Sequence, residues 1–287
     1  MNIQTLLLVN ANRKNQLSIE MIEASASQRE IEVKVVEPSS YDHLQNKSGL
    51  KNCGIYRIST DPSAIYLEKT IISQVGSSFY SNVNRCISKY DNVFEATIIH
   101  EHNKLPVIPT IHHLTNNRYL LKKYYDYLGG SPIIIKLVGD SHGIGVIKVD
   151  SFSSLLSITD YLIHNNQQAV LRKFIKHEEH ARLIVLGDSV ISSIAYKKPT
   201  DDFRTNVGEK PNVVGKKYST KVQEIAVKSS KSLGFEFAGV DIIIDKSGTP
   251  YLAEVNFPCY FPRAQEATGD DISGMMVDYL IGKIGVE

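Results

Sequence analysis

The stretch AGVDIIIDKSGTPYLAEVN, residues 238 to 256, decides how this chain folds. Two apolar runs flank the turn residues DKSG, which predicts a β-hairpin. Glu254 and Asn256 are two positions apart on the second strand, so strand periodicity places both side chains on one face. Asp241 lies on the paired strand, whereas Asp245 lies in the turn and is predicted to face solvent.

Three oxygen-bearing side chains are therefore expected to converge on this hairpin: Asp241, Glu254 and Asn256. Such oxygens suit a hard cation such as Mg²⁺, which binds through one or two carboxylates together with substrate phosphates. The alternative is that all three are solvated groups of an ordinary hairpin. Their apolar neighbours would then bury polar groups at a cost in free energy, which favours a metal site.

A second stretch, IIIKLVGDSHGIGVIKVD at residues 133 to 150, places a lysine before a glycine-containing loop between two apolar runs. The Walker phosphate loop and the Rossmann fingerprint both require a helix after the loop, and neither pattern is present. The loop is either a β-hairpin that closes over a nucleotide, with Lys136 contacting phosphate, or a plain turn. Glycine permits the close backbone approach that the first alternative needs.

A third stretch, DDFRTN at residues 201 to 206, follows YKKP. Arg204 offers a planar fork that suits a carboxylate or a phosphate, and Lys197 and Lys198 add positive charge. Taken alone, a solvated loop explains the stretch equally well. The nine histidines are scattered, which favours polar structural roles over metal binding.

Composition narrows the class of protein. In 287 residues, 32 basic side chains nearly balance 31 acidic ones without clustering, which argues against a nucleic-acid partner. The three cysteines form no C-x-x-C pair, so reduced thiols are expected rather than disulfides or structural zinc. No apolar run is long enough to cross a bilayer, and the N-terminus lacks signal-peptide features. We therefore expect a cytoplasmic protein without membrane contact.

The start of the chain alternates strand, helix and strand. TLLLVN reads as a buried strand, and Ile19, Ile22 and Ala26 then recur at helical spacing before IEVKVVEP returns to strand character. This order predicts a small open α/β domain with its ligand edge at the carboxyl ends of the strands.

Taken in order, IIIKLVGDSHGIGV, RLIVLGDSVISSIAYKKPTDDFRTN, AGVDIII…YLAEVN and TGDDISGMM resemble the ATP-grasp superfamily, specifically the RimK-type carboxylate-amine ligases. The resemblance covers residues 89 to 287 well and the earlier part loosely. It implies the ATP-grasp fold, an α/β (α+β) architecture. The implied parts are an N-terminal α/β domain (1–88), a central subdomain with the lid and phosphate lysine (89–168) and a C-terminal subdomain with the hinge and metal site (169–287).

The resemblance also implies roles for individual residues. Those that would contact ATP are Lys136 at the phosphates, Ser141, His142, Gly143 and Gly145 in the lid, Lys173, Phe174 and Ile175 at the adenine hinge, and Arg182 and Asn206. Asp241, Glu254 and Asn256 match the ligands of Mg²⁺, with Mn²⁺ as an alternative ion. Arg204 and Lys136 would stabilise the transferred phosphoryl group, and Arg57, Arg204, Tyr260 and Arg263 would face the substrate.

The implied reaction converts a small-molecule or peptide carboxylate to an acyl-phosphate with ATP, and an amine then displaces phosphate to form an amide. Family members often assemble as homodimers or homotetramers. The sequence departs from the family where Asn92 replaces a phosphate-binding lysine and where VGEKPN and FPCYFPR border the acceptor site. A non-catalytic ATP-binding regulatory module and phosphoryl transfer without an amine are the alternatives.

Overall fold

A computed structural model describes residues 3–12, 15–43, 50–81, 93–138, 144–197, 202–204 and 212–283. The described helices are α1 Gln16–Ser27, α2 Pro62–Ile71, α3 Val93–His102, α4 Arg118–Tyr127, α5 Phe152–His164, α6 Thr220–Ser232, α7 Pro262–Thr268 and α8 Ile272–Lys283. The described strands are β1 Thr5–Val9, β2 Glu32–Val36, β3 Cys53–Arg57, β4 Ser77–Ser78, β5 Thr110–Ile111, β6 Ile133–Leu137, β7 Val146–Val149, β8 Ala169–Lys173, β9 His177–Leu186, β10 Ser189–Tyr196, β11 Val213–Gly215, β12 Phe237–Asp245 and β13 Pro250–Asn256.

The N-terminal part is a parallel sheet in the order β2-β1-β3-β4. The predicted helical face of α1 is buried, because Ile19, Ile22 and Ala26 all pack into the core. Helix α2 begins at Pro62, and the Asp61 carboxylate before it accepts a hydrogen bond from the Ser63 amide at 2.9 Å. The open α/β domain expected from the sequence is therefore confirmed.

The central part is an antiparallel sheet in the order β5-β8-β6-β7, covered by α4 and α5. It has a hydrophobic core of its own, built around residues such as Leu121, Ile133, Leu155 and Leu171. The sequence assigned residues from 169 onwards to the C-terminal subdomain, whereas in the structure β8 pairs with β6 along its full length and lies in this sheet. The boundary at residue 89 also differs, since α3 packs on α6 and β13 of the C-terminal part.

The C-terminal part is an antiparallel sheet in the order β11-β10-β9-β12-β13. Helix α6 packs on one face, and α7 packs on β10 and β11. Three short elements, β4, β11 and α7, were not expected from the sequence. Two of them are strands of two or three residues, and α7 spans seven residues, so none of them shows a periodic pattern.

The N-terminal and C-terminal parts share one hydrophobic core. Tyr56 and Phe79 from the first sheet pack edge-on or tilted against Phe237 from β12. At the other end of the chain, α8 lies against α1, with Ser25 and Ser273 joined by a hydrogen bond between their hydroxyls of 2.7 Å. Two folded bodies result: the central sheet, and everything else that the structure describes.

Candidate active site

A cavity of about 770 Å³ is lined by all three sheets. Many of the predicted site residues line it: Lys136, Lys173, Phe174, Ile175, Arg182, Arg204, Asp241, Glu254, Asn256, Tyr260 and Arg263. Gly145 adopts a positive φ of 73° after the loop but does not line the cavity. Ser141, His142, Gly143 and Asn206 lie outside the described residues, as does Asn92.

The hairpin of β12 and β13 brings the three predicted metal ligands to one face of the sheet. Asp241 is directly opposite Glu254, and Gly239 is opposite Asn256. The register shifts immediately afterwards, because Ile242 pairs with Leu252 and Ala253 is an extra residue in a β-bulge. The bulge lies next to Glu254, at the point where this carboxylate turns towards the cavity.

Gly239 makes room for the arginine that approaches Asp241. A Cβ atom at this position would lie 2.8 Å from the Cys259 sulfur and 3.5 Å from Nε of Arg182. Without it, Arg182 on the neighbouring strand β9 reaches Asp241 and forms two hydrogen bonds, Nε to Oδ1 at 2.9 Å and Nη2 to Oδ2 at 2.7 Å.

Asp241 is held as a carboxylate by its neighbours. Burial alone would raise the pKa of this side chain, but the Arg182 guanidinium and His180, whose Nε2 is 3.5 Å from Oδ1, outweigh burial and keep the pKa well below its usual range. Asn256 adds a hydrogen bond from Nδ2 to Oδ2 of 3.0 Å. Asp241 therefore carries its charge before any cation is bound.

Glu254 has a different environment. Its carboxylate forms an ion pair with Nζ of Lys136 at 3.2 Å, and this pair joins the C-terminal sheet to the central sheet across the cavity. The glutamate side chain is 38% exposed, compared with 4% for Asp241. The predicted phosphate lysine and the predicted metal ligand thus touch each other.

These side chains fit a magnesium ion. Two carboxylates and one amide oxygen share a sheet face, and the amide nitrogen of Asn256 donates to Asp241 and to the Gly239 carbonyl, which leaves Oδ1 as the group able to bind a cation. Among the described residues no three His, Cys, Asp or Glu side chains cluster in a way that could hold a metal. Two carboxylates with substrate phosphates are the usual ligand set of Mg²⁺.

Two predicted arginines are already engaged with carboxylates. Arg204 forms hydrogen bonds from Nε and Nη2 to Asp202 at 3.0 and 2.7 Å, while still lining the cavity. Arg57 is buried, lies outside the cavity lining and donates from Nε to Glu68 at 2.8 Å. Of the two, only Arg204 is placed to meet a ligand.

Arg172 is a cavity residue that sequence reasoning missed. It is 7% exposed, its Nη1 donates to the carbonyl of the bulged Ala253 at 3.3 Å, and its Nη2 donates to the Thr97 hydroxyl at 2.9 Å. Burial lowers the pKa of this guanidinium, which has no carboxylate within ion-pair distance among the described residues. The signal was the pair of basic residues, Arg172 and Lys173, inside the otherwise apolar segment AVLRKFI.

The segment after Asn256, which the sequence predicts to face the substrate, forms one end of the cavity. The Tyr56 hydroxyl donates to the Cys259 carbonyl at 3.1 Å and accepts from the Cys259 amide at 3.2 Å. Strand β3, which carries Tyr56, therefore fixes the position of this segment. Beyond it, the Arg263 guanidinium lies over the Tyr260 ring at 5.5 Å from the centroid. Both side chains line the cavity.

Comparison with known proteins identifies the family of this chain. The RimK-like ATP-grasp domain family matches residues 97–280. A probable alpha-L-glutamate ligase of Citrobacter koseri is 30% identical over 157 residues, 54% of this chain and 52% of the relative. A ribosomal protein bS6–L-glutamate ligase of Shigella boydii is 29% identical over 178 residues, 61% of this chain and 58% of the relative. The chain spans about half the length of the curated relatives it matches.

Solved structures show the same fold over nearly the whole chain. The ATP-grasp ligase PsnB complexed with a minimal precursor gives a TM-score of 0.74 at 15% identity, covering 98% of this chain and all of that one. The D-alanine–D-alanine ligase of Bacillus anthracis complexed with ATP gives 0.68 at 16% identity, covering 99% and 97%. The ATP-grasp fold expected from the sequence is confirmed. No helix in the described part of the chain is long and apolar enough to cross a bilayer.

Proposed function

Since the chain belongs to the RimK-like ATP-grasp family, we propose that it is an ATP-dependent ligase that joins a carboxylate to an amine through an acyl-phosphate. The proposal rests on one observation: the predicted metal ligands and the predicted phosphate lysine face each other across one cavity. Asp241, Glu254 and Asn256 stand on the C-terminal sheet, and Lys136 stands opposite them on the central sheet. This arrangement suits a nucleoside triphosphate with its metal ion.

Each charged residue has a task in this scheme. Lys136 neutralises the phosphates once it leaves Glu254, and Arg204 approaches the transferred phosphoryl group with a planar fork of donors. The cavity wall at the end of β8, which would contact the adenine base of ATP, is formed by Lys173, Phe174 and Ile175. Arg182 keeps Asp241 ionised and aligned. Asp241, Glu254 and Asn256 would hold Mg²⁺ or Mn²⁺, which would supply charge neutralisation for phosphoryl transfer.

The chemistry asks mainly for alignment. An oxygen of the substrate carboxylate attacks the γ-phosphorus and ADP leaves; the amine nitrogen then attacks the acyl carbon, phosphate leaves, and the amine proton passes to solvent. The barrier falls because the reactants are held together and the growing charge faces fixed cations. No side chain of the described cavity has to act as a nucleophile.

The relatives suggest the substrate class. One is named for adding L-glutamate to a ribosomal protein, and PsnB was solved with a precursor peptide. We propose accordingly that a peptide or protein supplies one reactant and an amino acid such as glutamate supplies the other. The cytoplasmic location and the assembly into homodimers or homotetramers stay predictions.

The test is to incubate the protein with Mg²⁺, ATP, L-glutamate and a peptide library, and to follow ADP release and amide products by mass spectrometry. We expect ADP release that depends on both substrates and a product heavier by the added amino acid less water. Glu254→Ala should lower the rate by about 10²-fold or more. Nucleotide binding without any substrate-dependent ADP would identify a non-catalytic module, and phosphorylated product without amide would identify a kinase-like reaction.

A further inference from the structure

The N-terminal sheet contributes its own wall to the cavity. The chain leaves β1 through α1 towards β2 on one side, whereas β3 lies on the other side of β1. The carboxyl ends of β1 and β3 therefore flank a topological switch point, and open α/β sheets bind ligands in the crevice at such points. Ile58 and Thr60 after β3, and residues 15–18 at the start of α1, line the cavity.

No side chain of α1 caps or neutralises the backbone amides of its first turn. The helix has twelve residues, no acidic side chain in its first turn and no side-chain cap. The side-chain amide of Asn15 donates instead, from Nδ2 to the Ile58 carbonyl at 3.1 Å. The backbone carbonyl of Asn15 accepts from the backbone amides of Ser18 and Ile19. Among the described residues, the amides of Gln16 and Leu17 have no acceptor, and such amides attract anions.

Ser18 provides a second and independent indication of a ligand. It is only 3% exposed, yet it lines the cavity, and within the described ranges no group forms a hydrogen bond with its hydroxyl. Its oxygen is not among the side-chain atoms that the described residues bury without a partner, so the hydroxyl opens into the cavity and is available to donate to a ligand. A donor in the third position of the helix, next to two amides without acceptors, is complementary to a carboxylate.

We propose that the first turn of α1, with the Gln16 and Leu17 amides and the Ser18 hydroxyl, is a subsite for a carboxylate that does not react. It holds the α-carboxylate of the amino-acid substrate while the reacting group of that molecule meets the phosphate site. Arg263 lines the same cavity. The inference rests on the proposed ligase function, since it assigns one end of a substrate of that reaction.

The test uses Leu17, which is 36% exposed and lines the cavity. Leu17→Glu places a carboxylate on the first turn, where the helix dipole favours it, so the fold is kept while an anionic ligand is repelled. Leu17→Gln is the matched neutral control, and Ser18→Ala removes the hydroxyl alone. Binding of L-glutamate is followed by saturation-transfer NMR with Mg²⁺ and a non-hydrolysable ATP analogue present.

We expect the L-glutamate Kd to rise about tenfold or more in Leu17→Glu, several-fold in Ser18→Ala and less than about twofold in Leu17→Gln, with nucleotide Kd and Tm unchanged. L-alanine should compete with L-glutamate, and glutamate α-amide should not. If instead a neutral peptide with one side-chain carboxylate competes and L-alanine does not, the subsite holds the peptide and our assignment to the amino acid is overturned.

The subsite itself is refuted if Leu17→Glu binds L-glutamate as wild type does, or if the wild-type protein binds none of these carboxylates while it binds nucleotide. Failure of the wild-type protein to bind nucleotide would refute the proposed ligase function instead, which keeps the two outcomes apart.

Discussion

At the scale of single residues, two carboxylates that face each other on one hairpin are prepared differently. Asp241 is buried and fixed by Arg182, so its charge and orientation precede any ligand. Glu254 is partly exposed and bound to Lys136, a residue of the opposite sheet. We therefore expect an exchange of partners when a nucleotide binds with its cation. The ion pair would break, Glu254 would bind the cation and Lys136 would bind phosphate.

This exchange predicts an unusual gain of affinity. In EDTA, Glu254→Gln should bind ATP about twofold to fivefold more tightly than wild type, because a partly exposed ion pair worth up to about 1 kcal/mol no longer competes for Lys136. The measurement is fluorescence polarisation with a labelled ATP analogue.

Asp241→Asn is the matched control for the loss of one negative charge from the same cavity, since Asp241 bonds Arg182 and not Lys136. It should show a smaller gain, and the gain of Glu254→Gln should vanish in the Lys136→Met background. Equal gains in Glu254→Gln and Asp241→Asn would mean that net charge alone governs affinity.

Sequence reasoning at this scale succeeded where a side chain follows strand periodicity. Alternation alone placed Glu254 and Asn256 on one face, and the register adds Asp241 to that face by pairing it with Glu254. It did not predict that the Arg57 guanidinium binds Glu68, or that Arg172 reaches the bulge. Both contacts join different elements, so the pattern within one element does not reveal them. The metal and nucleotide roles themselves stay predictions.

At the scale of elements, the bulge in β13 is supported from the neighbouring sheet. Arg172 on β8 donates to the Ala253 carbonyl and to Thr97 on α3, so one side chain connects three elements beside Glu254. Bulges next to active sites re-aim side chains. We infer that Arg172 positions Glu254 through the backbone.

Arg172→Met should raise the Mg²⁺ concentration needed for half-maximal nucleotide binding by about tenfold, because Glu254 loses its fixed direction. The ATP affinity measured in EDTA should change by less than about threefold. The free energy of unfolding should fall by about 1–3 kcal/mol, since two buried acceptors lose a donor. Arg172→Lys, which retains the charge, is the control; a purely structural role would lower stability and leave the Mg²⁺ requirement as it was.

The contact between α3 and α6 should respond to pH. Burial lowers the pKa of His100 to about 4 from 6.5, and its Nε2 lies 3.3 Å from the Ser229 carbonyl. Below pH 6.5 the unfolded chain takes up a proton that the folded chain refuses until about pH 4. Stability contributed by the neutral ring is therefore complete above pH 6.5 and declines as pH falls, by roughly 2 kcal/mol at pH 5.

Urea unfolding at pH 8 and pH 5 measures this decline, and His100→Gln supplies the comparison, since glutamine keeps a donor and does not titrate. The difference in stability between the two pH values should be smaller in the variant by about 2 kcal/mol. Identical differences in both proteins would show that other groups cause the acid response.

Whole elements were predictable where apolar periodicity was strong, and their ends were not. The hairpin of β12 and β13 and the buried face of α1 appeared as expected. Strand β9 begins at His177 and so includes the polar residues HEEH, which have no apolar pattern and are held in the strand by pairing with β12.

At the scale of the whole molecule, the sequence suggested three successive units and the structure has two bodies. The N-terminal sheet and the C-terminal sheet share buried side chains such as Leu8, Phe237 and Ile272, whereas the central sheet packs on itself. Linear order could not reveal this, since the shared core joins residues at opposite ends of the chain.

In a fragment of residues 93–287, which includes the whole region matched by the family, the C-terminal sheet should therefore fail to fold cooperatively. The fragment exposes the aromatic and aliphatic side chains that the first sheet covers, each worth about 1.5–3 kcal/mol when buried. In differential scanning calorimetry the fragment should keep only the transition of the central sheet, which has a core of its own. A second sharp transition in the fragment would mean that the core of the C-terminal sheet is self-sufficient.

The docking of α8 on α1 has a practical meaning for protein engineering. Recombining relatives at a single crossover after β4 would graft a foreign leading segment onto a resident C-terminal helix, so that hydroxyls such as Ser25 and Ser273 lose their counterparts. Exchange of specificity between homologues therefore calls for a transplant that carries both chain ends together and leaves the middle of the gene in place.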